Sequence, residues 1–179
     1  MPLEIPGNAR PSAVLCLLFP MNDELYMLLM RRREDKKAHS GQVSFPGGSY
    51  DTTDADYKAT ALREANEELG IMSADVDILG ALTSLYIPVS NFNVYPYIGY
   101  AQKRPEYNLN EQEVSYTIEV PLDKLLHSER KTIADVVSPV RPDLVRNVKA
   151  YKLDDGTIIW GATAMIISEL EAILEEYPG

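Results

Sequence analysis

The sequence predicts a fold of the α/β or α+β class, because strand-like and helix-like segments follow one another along the chain. Apolar runs at 12–19 and 24–31 predict two strands around a turn at 20–23. Two longer segments, 56–69 and 163–176, carry apolar residues at helical spacing.

The other elements are shorter or irregular. They are a polar loop at 32–41, strands at 43–45 and near 75–84, 94–101 and 113–120, a short helix at 121–126, and a hairpin of 149–153 with 157–160. Either Asp54 or Asp56 can cap the first long helix, and Gly70 follows it as a left-handed stop. Residues 1–11 are expected to be an irregular lead-in to a single domain spanning 1–179.

Composition argues against several classes of protein. The chain has 179 residues and 45% apolar content, enough for one buried core. Its net charge of −10 argues against nucleic-acid binding, which normally requires a basic surface. No apolar run approaches membrane-spanning length and no signal pattern opens the chain, so we expect a cytoplasmic protein without membrane contact. The single cysteine, Cys16, lies in an apolar run and is expected to be buried.

The helix predicted at 56–69 carries a cluster of carboxylates. Glu64, Glu67 and Glu68 are spaced i, i+3 and i+4, which places them on about one third of the helix circumference. Apolar residues take the opposite side of the same wheel: Ala59, Leu62, Ala65 and Leu69. Like charges so close repel one another. A hard divalent cation such as Mg²⁺ would offset that cost, because it prefers oxygen ligands.

Together with the turn before it, this helix resembles the Nudix box, the signature of the Nudix hydrolases. That box reads Gly, five residues, Glu, seven residues, then Arg-Glu-apolar-x-Glu-Glu-x-Gly-apolar. Residues Arg63 to Ile71 match its second half at every position. In the first half an acid follows Gly48 after five residues, but it is Asp54, and eight residues then precede Arg63. The resemblance implies an α/β/α sandwich with a mixed central sheet.

An upstream motif resembles the coenzyme A pyrophosphatase branch of this family. The branch reads Leu-Leu-Thr-x-Arg-small, three residues, Arg, three residues, Gly, three residues, Phe-Pro-Gly-Gly. The chain matches it at Leu28, Leu29, Arg32, Gly41 and Phe45 to Gly48, and departs from it at Met30, Arg33 and Lys37. Lys37 keeps a positive charge but lacks the planar fork of arginine. The branch also shares the longer, Asp-rich spacing before the box helix, and the resemblance covers about residues 10–175.

The resemblance implies roles for individual residues. Metal binding falls to three carboxylates and one main-chain carbonyl, those of Glu64, Glu67, Glu68 and Gly48. Substrate contacts fall to Arg32, Lys37, Gly47 and Gly48. The implied catalytic residues are Glu64, Glu67, Arg63 and Glu113. Arg63 is expected to orient the glutamates by ion pairing, Asp54 to take the structural part of the usual box Glu, and Glu113 to act as general base with Glu111 as its rival.

The resemblance therefore implies a hydrolase that uses Mg²⁺ or Mn²⁺ and cleaves coenzyme A or acyl-CoA to 3′,5′-ADP and (acyl-)4′-phosphopantetheine. ADP-ribose, NADH or a nucleoside triphosphate is an alternative substrate, and a non-catalytic nucleotide-binding module is a further alternative. We expect His39 to be an ordinary loop residue, although it could donate to a phosphate. Three tyrosines are expected to pack in the core and on the sheet rather than stack on adenine: Tyr95, Tyr97 and Tyr100. The protein is expected to be a monomer or a homodimer.

Overall fold

The computed structural model describes residues 5–34, 41–137 and 145–176. Its elements are β1 (Arg10–Met21), β2 (Glu24–Arg32), β3 (Val43–Ser44), β4 (Gly47–Ser49), α1 (Tyr57–Leu69), β5 (Asp77–Ala81), β6 (Leu85–Ile87), β7 (Phe92–Tyr100), β8 (Val114–Pro121), α2 (Leu122–Leu126), β9 (Lys131–Val137), β10 (Val145–Lys152), β11 (Ile158–Ile159) and α3 (Gly161–Glu176). The predicted mixture of strands and helices is confirmed.

The larger sheet has β1 at its centre. The strand order is β3-β2-β1-β7-β5, and β4, β6 and β8 pair with β1, β7 and β2 respectively. Strand β1 runs parallel to β7 and antiparallel to β2 and β4, so the sheet is mixed as predicted. The near-continuous apolar sequence of β1 suits this position, because a strand covered on both faces needs apolar side chains in both directions.

Alternate residues of β1 belong to two apolar layers. Leu15 and Leu17 share one cluster with Ala61, Ala65 and Leu69 of α1. Cys16 and Leu18 belong to the opposite cluster, which α2 and α3 complete with Leu122, Leu125, Ile166, Ile167 and Leu170. The chain therefore forms the predicted α/β/α sandwich, and Cys16 is buried as expected. Burial raises the pKa of its thiol.

Local signals at the two ends of α1 are present in the structure. Asp56 is the N-cap, since its Oδ1 accepts a hydrogen bond of 2.7 Å from the Ala59 N–H. Gly70 has a φ of 74° and ends the helix in the left-handed conformation. An added Cβ on Gly70 would lie 2.8 Å from the Cβ of Asn108, so the position also requires a residue without a side chain. The other cap candidate, Asp54, does not cap the helix and instead accepts hydrogen bonds from Arg63.

Several predicted boundaries differ from those of the structure, and one strand was not predicted. Arg10 and Pro11 belong to β1 rather than to the lead-in, because they continue its parallel pairing with β7. The strand predicted at 75–84 is confined to β5, because residues 73–75 form a 3₁₀ turn. Strand β9 was not predicted, and β10 extends the predicted hairpin back to Val145. These two strands form a second sheet with β11.

Among residues 5–34, 41–137 and 145–176, no helix is both long and apolar enough to cross a membrane.

Candidate active site

The three glutamates of α1 differ sharply in exposure. The side chain of Glu67 is 54% exposed, that of Glu64 15% and that of Glu68 only 1%. The expectation of one carboxylate face opposite an apolar face is therefore wrong for Glu68. It lies on the buried side of the helix with Ala61 and Ala65, where β2 and β4 approach α1.

Glu68 is held between the two sequence motifs. Its Oε2 accepts a 2.9 Å hydrogen bond from the Gly47 N–H, and its Oε1 lies 3.2 Å from Nη1 of Arg32. Burial raises the pKa of this carboxyl to about 7, although Arg32 and the Gly47 N–H oppose the rise. An added Cβ on Gly47 would lie 2.3 Å from the Ala13 carbonyl oxygen, so only glycine brings this N–H to Glu68.

Gly48 forms a close backbone surface against Glu64. An added Cβ would lie 2.5 Å from the carboxyl carbon of Glu64 and 2.5 and 2.6 Å from its two oxygens. Burial raises the pKa of Glu64, while the neighbouring Arg63 guanidinium opposes that rise. The structure thus brings together the turn glycine and one of the glutamates to which metal binding was assigned.

All five N–H groups of the Arg63 guanidinium are engaged. Nε and Nη2 donate to the two carboxylate oxygens of Asp54, at 2.9 and 3.1 Å. Nη1 donates to Glu64 at 2.9 Å and to Glu67 at 3.1 Å, and Nη2 also donates to the Ser49 carbonyl at 2.9 Å. Because arginine has five donors in a rigid fork, none is left for a substrate. Arg63 thus contacts two of the three box glutamates, and its function in orienting them stays a prediction.

Asp54 anchors this network although it is shorter than the usual box Glu. Besides the two bonds from Arg63, it accepts 2.8 Å from the Thr60 hydroxyl and 3.0 Å from the Asp51 N–H. These bonds, above all those from Arg63, hold the pKa of Asp54 down at about 2. Thr60 was missed by the sequence reasoning. Its signal in the sequence is its spacing, because Thr60 lies four residues before Glu64 and therefore on the side of the helix that carries Glu64 and Glu67.

The loop before β8 brings Glu113 near Glu64 and Glu68 of α1. The charge of Glu113 contributes to the raised pKa of both Glu64 and Glu68, so its carboxylate lies within electrostatic reach of the cluster. The Glu113 carbonyl accepts a 2.8 Å bond from the Arg33 N–H, and the Arg33 guanidinium donates to the Glu111 carbonyl. Arg33 stands where the coenzyme A motif has a small residue. Its two hydrogen bonds fix the loop that carries Glu111 and Glu113, the two candidates for the general base.

The remaining candidates are two residues of the predicted polar loop and three tyrosines. Lys37 and His39 lie outside the described residues. Tyr95 stacks on Tyr57 with ring centroids 4.1 Å apart. Tyr97 and Tyr100 pack against the two apolar clusters, which agrees with a packing function.

The site carries surplus negative charge. It contains five carboxylates, of which four pair with the two guanidinium groups of Arg32 and Arg63 and the fifth, that of Glu113, acts on the cluster through its charge. The four paired carboxylates are Asp54, Glu64, Glu67 and Glu68. Within the described chain, no three acidic, histidine or cysteine side chains are arranged to hold a metal ion as they stand. Each box glutamate is instead engaged by an arginine, so binding would require at least one to turn. The donors fit a hard divalent cation in charge and in chemistry, because carboxylate oxygens are its preferred ligands.

Comparison with known proteins identifies the family of this chain. A family model described as the NUDIX domain matches residues 9–143. A protein named uncharacterized Nudix hydrolase NudL from Pectobacterium atrosepticum is 34% identical over 181 residues, covering 98% of this chain and 92% of that protein. A protein of the same name from Escherichia coli strain SMS-3-5 is 38% identical over 163 residues, covering 91% of this chain and 82% of that protein. The chain belongs to the Nudix family. Nudix hydrolases cleave pyrophosphate bonds in nucleotide-derived small molecules and generally use divalent metal ions.

Solved structures agree with the Nudix fold. The Nudix hydrolase RenU from M. smegmatis superposes with a TM-score of 0.64 at 16% identity, over 96% of this chain and 89% of that one. The NUDIX domain of Shewanella oneidensis NrtR, complexed with ADP ribose, superposes with a TM-score of 0.51 at 19% identity, over 65% and 75%. At such identities the likeness concerns the fold alone.

Proposed function

We propose that this Nudix hydrolase cleaves the diphosphate of coenzyme A or acyl-CoA, giving 3′,5′-ADP and (acyl-)4′-phosphopantetheine. The proposal rests on the contact between the two motifs. Arg32, from the coenzyme A motif, pairs with Glu68 of the Nudix box, and Gly47 of the same motif donates to that carboxylate. Residues that resemble the coenzyme A branch therefore form part of the acidic site itself.

The metal would be held by the carboxylates of Glu64, Glu67 and Glu68, with the Gly48 carbonyl as a further ligand. When bound, Mg²⁺ or Mn²⁺ supplies charge neutralisation on the diphosphate oxygens and lowers the pKa of water. Support comes from the surplus negative charge and from the approach of Glu64 to Gly48. The incubations with Mg²⁺ and with Mn²⁺ described below compare the two ions.

The chain's own groups would divide the remaining work. Arg63 holds Glu64 and Glu67 at fixed distances and has no spare donor, so it positions ligands. Glu113 would take the proton from water as general base, supported by its electrostatic reach to the cluster, with Glu111 as rival. Arg32, Lys37, Gly47 and Gly48 would contact the substrate phosphates.

A second candidate is hydrolysis of another nucleoside diphosphate derivative, such as ADP-ribose or NADH. One observation favours it: Arg33 occupies the small position of the coenzyme A motif and is committed to the Glu111 carbonyl. The solved NrtR domain carries ADP ribose, which is a fact about that protein. A non-catalytic module is less well supported, because this chain keeps Glu64, Glu67 and Glu68. A cytoplasmic location without nucleic-acid or membrane partners stays a prediction.

Product chromatography tests the proposal. Purified protein would be incubated separately with coenzyme A, ADP-ribose and NADH, with Mg²⁺, Mn²⁺ or chelator. We expect metal-dependent release of 3′,5′-ADP from coenzyme A well ahead of turnover of the other two. Comparable turnover of ADP-ribose and coenzyme A would overturn the substrate assignment and leave Nudix chemistry intact.

A pair of variants separates catalysis from folding. Glu67→Gln changes a half-exposed side chain, so the fold should survive while most of the rate is lost. Glu175→Gln, an exposed glutamate of α3, is the matched control and should keep full activity. Equal rates in both variants would contradict the assignment of Glu67.

A further inference from the structure

The ribbon formed by β9 and β10 has an open edge. The two strands pair antiparallel from Lys131 opposite Tyr151 to Val137 opposite Val145. Across the described parts of the chain, β9 pairs with β10 alone, so the main-chain groups of its other edge face no strand. An edge of this kind is a template for pairing with another strand.

The other sheet edges are blunted. Strand β5, at one edge of the larger sheet, is interrupted by a bulge between Ile78 and Gly80. Strand β8, which among the described residues pairs with β2 alone, has a register shift in that pairing and ends in Pro121. Strands β3, β4, β6 and β11 have only two or three residues each. Bulges and short strands are common devices against unwanted pairing. Strand β9 has neither, since its seven residues pair with β10 without a register shift.

Apolar side chains stand exposed on the ribbon. Ile133 is 62% exposed, Val137 56% and Val145 55%, all on the same face. The base of the ribbon is tied to α3, where Glu171 lies 2.7 Å from Lys131 Nζ and accepts from the Tyr151 hydroxyl at 3.3 Å. Strand β11 pairs only with Tyr151 and Lys152 of β10, so the rest of the ribbon is two-stranded. A two-stranded ribbon is marginally stable alone in water, and a partner strand would stabilise it.

We propose that β9 pairs antiparallel with β9 of a second copy of this chain, around a two-fold axis at Ile133. In that register Ile133 faces its own counterpart, and Lys131 faces the partner subunit's Asp135, twice by symmetry. All three side chains lie on one face of β9. A register centred on Ala134 would instead set Ile133 against the partner subunit's Asp135, an apolar residue against a charge.

Charge favours this occupant over an arbitrary strand. Each copy carries a net charge of −10, which opposes association in general. The segment from Lys131 to Asp135 carries one positive and one negative charge and is self-complementary, so two copies of it do not repel each other. Lys131 already pairs with Glu171, but an ammonium has three donors and can serve both carboxylates.

Disulfide trapping tests the register. Cys16 is buried, so a cysteine introduced on the surface is the reactive one. Directly opposed residues in antiparallel strands have Cα atoms about 4.5–5.5 Å apart, within the range of a disulfide. We expect Ile133→Cys to form a disulfide-linked dimer under mild oxidation. Leu79→Cys is the matched control, because Leu79 is 64% exposed but lies on the bulged edge. Equal cross-linking of both variants, or none of Ile133→Cys, would overturn the proposal.

Charge reversal tests the pairing independently by sedimentation of the intact protein. Lys131→Glu and Asp135→Lys should each weaken the dimer at least about tenfold, because like charges then face each other across the axis. Mixing the two variants should restore dimer formation, since opposite charges face each other again in the mixed species. A wild type that sediments as a monomer at every accessible concentration would refute the interface, as would a mixture that stays monomeric.

Discussion

Replacing Glu68 with glutamine should remove a pH-dependent cost that this carboxylate imposes on the metal-free protein. The side chain is 1% exposed, and burial raises its pKa from 4.5 to about 7 despite Arg32 and the Gly47 N–H. A carboxyl with a raised pKa binds its proton more tightly in the folded state. Its contribution to stability is therefore full below pH 4.5 and is lost as the pH rises through about 7.

The size of the effect follows from the two pKa values. Their difference corresponds to roughly 3 kcal/mol, at about 1.4 kcal/mol per pH unit. The isoelectric point near 4.7 makes the lowest pH values impractical. Between pH 5.5 and 8.5 the linkage relation leaves a loss of about 2 kcal/mol in the free energy of unfolding.

Urea unfolding of chelator-treated protein at these two pH values measures this loss in the free energy of unfolding. We expect Glu68→Gln to lose about 2 kcal/mol less than the wild type over this range. Glu67→Gln is the control, since Glu67 is 54% exposed and should follow the wild type. The reasoning is refuted when wild type and Glu68→Gln show the same pH dependence.

Three further changes probe the remaining contacts. Gly48→Ala should lower turnover at least about tenfold, because its Cβ would lie 2.5 Å from the Glu64 carboxyl; Gly80→Ala, where no atom lies within 4 Å, should not. Arg63→Lys should cost about 1–3 kcal/mol in urea unfolding and most of the rate, since three donors cannot replace five; Arg146→Lys on the exposed ribbon is its control. Asp54→Asn should destabilise the protein at neutral pH, and thermal unfolding should show its deficit shrinking in acid. A carboxyl with its pKa held down at about 2 contributes stability above pH 3.8 and loses it below; a deficit that grows in acid would contradict this.

Features that depend on near neighbours in the chain were predictable from the sequence. Helix geometry alone relates Arg63 to Glu67 and Glu64 to Glu67, because residues three and four apart are neighbours on a helix surface whatever the rest of the protein does. The stop at Gly70 was equally local, as was the pairing of β1 with β2 through a short turn. Alternation within β1 between two apolar layers follows from the two-residue repeat of a strand.

Features that depend on distant segments were decided only by the tertiary structure. Glu68 is buried because β2 and β4 bring Arg32 and Gly47 against α1, and a helical wheel contains neither strand. Asp56 caps the helix, so the carboxylate of Asp54 is available to accept hydrogen bonds from Arg63. The Arg63 guanidinium also donates to the Ser49 carbonyl, which belongs to β4. Strand β9 was not predicted because one of its faces mixes the charged Lys131 and Asp135 with the apolar Ile133 and Val137, and its pairing with β10 is what defines it as a strand. Sequence spacing thus determines which side chains share one helix, whereas burial and the pKa values it shifts arise only when separate strands converge.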